Sequence, residues 1–399
     1  MEINYPKIIS HIETLPWCAL ITTGRVGTDF FQSLLDSHPE VFVFNGSLFF
    51  YNFWEKSYCV NYSGNIEVED LADEFIGNFI YKLKSKYDYA EGKDRLGEKK
   101  NESVNIDLLE FKKHLVNLAK QRNICSKNFL QSVYIAYAIC LGQNIEKKKL
   151  FFHHIHHSED LDKYLKDFPE SKIIAMIRDF KATFVSGVEH WFRYRPNTDF
   201  NLWRVFVSLE RIVNEVSKLK KYGNESAVLR LEDLEDEKKM HQICKWLGIS
   251  YDPCLRKSTW AGLRWWGDRL STNSPKPEEQ GFSKTVINSN PGKKLNIIDE
   301  YLLDFLLSKS LEYYGYQYKK YRGLHHYIIA LIAILLPSVY EKKFLSISFI
   351  SIQIKQKKWR GILKNLYYYI KRIILYYRLY YRKVIGEKPD IYILGNTAI

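Results

Sequence analysis

The sequence predicts an α/β domain, a mostly parallel central sheet with helices on both faces, continued by a basic helical extension. Three observations lead there. Short, almost wholly apolar runs recur between residues 17 and 231, the pattern of strands buried on both faces of a parallel sheet. Between them apolar residues return every three or four positions, as in helices that cover such a sheet. The charge balance also changes near residue 317. Residues 317–399 carry sixteen Lys and Arg against three acids, a net of +13, while residues 1–316 carry 43 of each. A main domain over residues 1–316 and a tail over 317–399 with a separate task are therefore expected.

Each element follows from its residues. Residues 17–22 form the first apolar run and end at the turn Thr23-Gly24-Arg25-Val26-Gly27-Thr28. A helix is expected next, with Phe30, Phe31, Leu34 and Leu35 on one face. Residues 41–44 read as a second strand, and residues 45–125 as a charge-rich inserted region of helices and loops. A helix is expected over 129–141. A strand opens at 150 and runs into His153-His154-Ile155-His156-His157. Residues 172–177 form a buried strand, after which Phe184, Val185, Val188, Trp191 and Phe192 keep helical spacing. The same spacing holds from Leu202 to Leu219. Residues 227–231 read as a strand, and 240–247 as a helix stopped by Gly248.

Composition excludes several classes. The 399 residues are 46% hydrophobic and 26% charged, enough to bury a core, and 20 Gly and 11 Pro are too few for a linker-dominated or collagen-like chain. Six Cys with no CxxC spacing point away from a disulfide framework and a cysteine zinc site, toward reduced thiols. Residues 1–16 lack the apolar stretch of a secretory signal, and no run reaches the ~18 apolar residues of a span. A cytoplasmic location is expected.

Two motifs carry chemistry. Backbone N–H groups of a glycine-containing turn that feeds a helix N-terminus form a cradle for a phosphate. Gly24 and Gly27 let an anion approach, Arg25 adds charge, and Thr28 adds a hydroxyl. The loop is too short for a Walker A motif and lacks its Lys-Ser/Thr pair, which speaks against a magnesium-dependent kinase. The alternative is an ordinary strand–helix turn. The second motif is Arg178 at the end of the strand over 172–177, with Ser186 eight residues on. Arg178 stands where open α/β sheets bind ligands, and the pair fits a second phosphate. The alternative is a salt bridge of Arg178 with Asp179.

Together these residues resemble the phosphosulfate-dependent sulfotransferases. Residues 22–30, including Thr23, Gly24, Arg25, Val26, Gly27, Thr28 and Asp29, match that family's 5′-phosphosulfate loop, and Arg178 with Ser186 matches its 3′-phosphate motif. Residues 229–234, 246–248 and 258–268 look like its later segments, so the likeness runs over about residues 15–275. It implies 3′-phosphoadenylyl sulfate as the sulfuryl donor, no metal, and a hydroxyl or amine acceptor. Arg264 would come from the segment that closes over the nucleotide. The family's catalytic His stands about as far before the 3′-phosphate Arg as His156 stands before Arg178. His156 is thus the expected base, with His154 as a neighbour toward the leaving group. Four close histidines also admit zinc or a polar strand end without chemistry. Arg25 stands where many members have Lys, Val26 where Ser is common, and Asp29 where a second Thr is common.

The tail reads as two apolar segments followed by an amphipathic helix over 359–385, with Ile362, Leu366, Ile370, Ile373 and Tyr377 on one side and Lys364, Lys371, Arg378 and Arg382 on the other. A peripheral place at the inner face of a membrane is expected, and a glycan or lipid-linked acceptor with it, rather than nucleic acid. The alternatives are a helical extension packed on the body, a P-loop nucleotide phosphotransferase, and a membrane-bound binding protein with a decayed site.

Overall fold

The computed structural model describes residues 3–22, 24–61, 66–84, 95–156, 159–194, 201–214, 219, 222, 225–267, 282–287, 294–386 and 392–394. The expected α/β architecture is present. Strands β1 (Trp17–Ile21), β2 (Val41–Val43), β3 (Leu150–Ile155), β4 (Lys172–Ile177) and β5 (Ser226–Arg230) form a parallel sheet with β8 (Tyr392–Ile393). Its order is β2-β3-β1-β4-β5-β8. A separate hairpin joins β6 (Thr259–Trp260) to β7 (Leu263–Arg264). In the sheet Leu20 lies beside His154, Ile21 beside both Ile155 and Ala175, and Ile177 beside Arg230. Because all these strands run the same way, their C-terminal ends share one rim.

The helices used below are α1 (Thr28–Leu35), α2 (Val68–Leu83), α3 (Ser126–Cys140), α4 (Glu159–Asp167), α5 (Phe180–Tyr194), α6 (Leu202–Asn214), α7 (Glu237–Leu247) and α8 (Ile297–Leu306). The alternation of side chains along a strand decides what each helix covers. On one face Trp17 stacks on Phe168 at 3.9 Å between ring centroids, and His153 stacks on Tyr164 of α4 at 5.3 Å. Tyr134 of α3 hydrogen-bonds His153 Nδ1 at 2.9 Å on that same face. On the other face Phe31 of α1 meets Phe152 edge-on at 5.7 Å. Phe30, Phe31, Leu34 and Leu35 are all buried, as their spacing requires. Within the inserted region, Phe53, Phe75, Phe79 and Phe111 pack with Phe129 of α3 into an aromatic cluster.

Two turns are set by glycine. Gly248 ends α7 in the left-handed region, at φ 79°. Gly27 precedes α1 at φ 89°, and a Cβ there would sit 2.6 Å from Leu231 Cδ1. Gly27→Ala combines left-handed strain with a steric clash and costs about 2 kcal/mol of stability. A urea titration measures it, and an unchanged midpoint would contradict the close approach.

The basic extension is helical and lies on the body. Its longer helices are α9 (Leu324–Ala333), α10 (Ile347–Lys355) and α11 (Trp359–Ile385), the last over the bounds its sequence predicts. Buried Leu375, Tyr376 and Leu379 join the main core, and α11 packs along α6. Asn365 Oδ1 accepts the Leu202 N–H at 3.0 Å. Arg372 and Glu341 form a fully buried ion pair at 3.1 Å. Beyond α11, β8 pairs with β5, and the Leu394 N–H donates to Val228 O at 2.7 Å.

Candidate active site

The loops after β1 and β4 leave neighbouring strands in opposite directions. The chain after β1 crosses to β2 on one side, and the chain after β4 goes on to β5 on the other. A crevice opens where two such loops diverge, at the C-terminal rim of the sheet. Gly24, Arg25, Val26, Gly27, Thr28 and Asp29 line the first loop and the opening turn of α1, and Arg178 follows β4 directly. Thr23 lies outside the described residues.

Arg178 is buried, and burial first, then the positive charge of Arg25, pushes its guanidinium pKa down. The two cations of the two motifs are therefore electrostatic neighbours. Glu232 and Asp179 hold the Arg178 charge in place. Glu232 accepts the Asp179 N–H at 3.2 Å and the Tyr316 hydroxyl at 3.0 Å, and burial raises its pKa against the pull of Arg178. Asp179 caps α5 by accepting the Ala182 N–H at 2.8 Å. Ser186 is half-buried in the second turn of that helix.

A directed hydrogen-bond chain ties the first loop to β3. Gln32 Nε2 donates to the carbonyls of Phe44 at 2.8 Å and Gly46 at 3.2 Å. That turns its Oε1 to His154 Nδ1, 2.8 Å away. Nδ1 therefore carries the proton, and Nε2 accepts from the Thr22 hydroxyl at 2.8 Å. The Thr22 oxygen then accepts from the Thr28 hydroxyl at 3.2 Å. Burial pushes the His154 pKa down to about 4, although Asp29 stands 3.7 Å away and pulls it up. His154 is thus a neutral ring with both nitrogens committed inside the fold. Expected as a neighbour toward the leaving group, it instead ties Thr22 to Gln32 of α1 and, through Thr22, holds Thr28 at the start of that helix.

The other histidines differ. His153 faces away from α1, and burial pushes its pKa down to about 3. His156 is exposed at the end of β3, edge-on to Phe49 at 5.6 Å and 6.3 Å from the His154 ring. His157 lies outside the described residues. Among the described residues no group of three His, Cys, Asp or Glu is placed to hold a metal.

Arg264 sits in a different cluster. It pairs with Glu98 at 2.9 Å and lies over the Trp266 ring at 3.7 Å. The hairpin that carries it is anchored to the far end of α1, where Asp36 accepts from Thr259 at 3.0 Å and from the Gly262 N–H at 2.9 Å. Two residues that the sequence did not single out belong near the crevice. Arg211 of α6 brings its Cδ within 3.9 Å of the Cβ position at Gly24. Lys82 of α2 is buried, donates to Asn45 O at 3.3 Å and lowers the His154 pKa through space. Each lies in a segment whose spacing tells only of a helix.

No family model matches the chain. No curated protein matches it. Among solved structures it is similar to the sulfotransferase domain from the curacin biosynthetic pathway. The TM-score is 0.36 at 14% identity, over 68% of this chain and 85% of that one. It is also similar to the sulfotransferase domain from the Synechococcus PCC 7002 olefin synthase, with a TM-score of 0.37 at 15% identity over 69% and 89%. At these scores the likeness carries no functional weight.

Proposed function

We propose that the chain is a sulfotransferase that moves a sulfuryl group from 3′-phosphoadenylyl sulfate to a hydroxyl or amine of a glycan or lipid-linked acceptor. One observation supports this most: the glycine loop after β1 and Arg178 after β4 sit on adjacent strands, with Arg25 in electrostatic reach of Arg178. A nucleotide with phosphates at its 3′ and 5′ positions needs two anion sites side by side, and these loops offer them.

In this reading the loop N–H groups and Arg25 hold the 5′-phosphosulfate, while Arg178 and Ser186 hold the 3′-phosphate. The acceptor oxygen attacks sulfur in line. The S–O bond to the 5′-phosphate breaks, and its electron pair stays on the phosphate, offset by Arg25 and the loop amides. His156 takes the acceptor's proton. The His154–Thr22–Thr28 chain keeps the loop in shape for this step.

Calorimetric titration with 3′-phosphoadenosine 5′-phosphate tests the site. Binding without magnesium is expected, and Arg178→Ala weakens it by about 10- to 100-fold, the loss of charge-assisted hydrogen bonds. Affinity untouched by Arg178→Ala would sink the assignment. A magnesium requirement with ATP as the better ligand would favour a phosphotransferase. Tight binding with no transfer of radiolabelled sulfate to glycan or lipid acceptors would mark a binding protein.

A further inference from the structure

Helix α11 turns two of its polar residues inward. Asn365 and Arg372 lie on its buried side, fixed by Leu202, Glu341 and the carbonyl oxygens of Ile334 and Leu336. These bonds set the helix register and leave Leu363, Tyr367, Ile370, Ile374, Tyr377 and Tyr381 as an exposed stripe at helical spacing. Leu363 is 66% exposed and Ile370 47%. Of the apolar side read from the sequence, Leu366, Ile370 and Tyr377 are exposed, and Arg372, placed on neither side there, is inside, because the buried partners of Asn365 and Arg372 decide the rotation.

The stripe continues onto its neighbours. The Tyr377 hydroxyl donates to Leu331 O at 3.4 Å and Tyr369 to Leu335 O, so α9 and the turn after it lie alongside α11. There Ile328, Ile332 and Leu335 are exposed. Helix α10 packs on the other end of α11, buries none of its side chains, and shows Ile347 at 88% exposure. Exposed apolar residues grouped on neighbouring helices in this way mark an interaction site.

We propose that α9, α10 and α11 form a docking face for an anionic lipid bilayer. Charge decides the partner. The exposed cations Lys355, Lys357, Lys358 and Arg360 lie around the turn between α10 and α11, and Lys364 and Arg378 flank the stripe. The one acid in residues 317–386 is Glu341, and it is buried against Arg372. Helices α9, α10 and α11 contain no carboxylate of their own, and Glu210 of the neighbouring α6 reaches Lys371 through space, leaving the other cations in excess. Two copies placed face to face would repel, whereas anionic headgroups match cations beside an apolar stripe. Long Lys and Arg stems let the charges reach headgroups while Leu and Ile enter the acyl boundary. Nucleic acid would bring charge to a stripe that has none to meet it. Among the described residues no helix is long and apolar enough to cross a membrane, so these helices lie in the interfacial plane.

The test is co-sedimentation of the full chain with vesicles of phosphatidylcholine alone and with about 30% phosphatidylglycerol. Binding is expected on the anionic vesicles and falls as salt rises. The triple variant Lys357→Glu, Lys358→Glu, Arg360→Glu loses about a hundredfold or more in partitioning. Ile370→Asp with Ile374→Asp loses binding at unchanged circular dichroism. Protein left in the supernatant with both vesicle types overturns the proposal, as does binding that ignores these variants. A dimer that Ile370→Asp dissociates, or oligonucleotide binding that excludes vesicles, assigns the face elsewhere and also overturns it.

Discussion

His156→Ala lowers the rate of sulfate transfer by about 10²- to 10⁴-fold, the usual share of a general base, and leaves affinity for 3′-phosphoadenosine 5′-phosphate unchanged. The split follows from position. His156 stands exposed at the rim of β3, outside the cluster that braces the loop. His154, two residues earlier, has both ring nitrogens bonded within the fold. Its replacement strands Thr22 and Gln32 and is expected to disturb the loop itself, so that donor affinity and folding fall together. Radiolabelled transfer and calorimetry on the two variants separate the roles. A His156→Ala protein with undiminished turnover would remove His156 from the chemistry.

The buried histidines also govern acid stability. His153 and His154 keep pKa values of about 3 and about 4 in the fold, against 6.5 for an ordinary ring. The folded values are depressed, so between about pH 6.5 and 4 the unfolded chain binds more protons and stability falls as pH falls. Between pH 7 and 5 each ring removes about 2 kcal/mol, large beside the ~5–15 kcal/mol that holds a domain. Asp299 works the other way. Burial raises its carboxyl to about 6, so the fold gains from protonating it as pH drops below that value. A variant comparison isolates the histidine contribution. In His153→Phe, Tyr134 keeps Phe152 O as its acceptor at 3.3 Å. Relative to the parent, this variant gains about 2 kcal/mol on going from pH 7 to 5, read from urea midpoints at both pH values. A difference that does not move with pH would show that His153 titrates normally.

Much of this architecture is written in local patterns. Runs such as residues 172–177 have no polar face, so they can only be strands buried on both sides, and parallel pairing follows. The places of Gly24, Gly27 and Arg178 just past β1 and β4 are legible for a related reason: strand ends are easy to find. Less legible are features fixed by distant partners. The commitment of His154 depends on Gln32, whose amide is oriented by carbonyls at 44 and 46. Arg211 and Lys82 come to the crevice through the packing of α6 and α2. The rotation of α11 follows from Glu341, a residue outside that helix. Strand β8 is too short for a periodic signal, and β5 alone gives it a role.

That last pairing has a consequence for the life of the chain during synthesis. Until residues 392–394 arrive, β5 is the border of the sheet, with its outward amide and carbonyl groups open to any extended peptide that drifts past. The margin most exposed to intermolecular strand addition is thus closed only after everything between β5 and residue 392 has been made, so a nascent chain is adhesive over that whole interval.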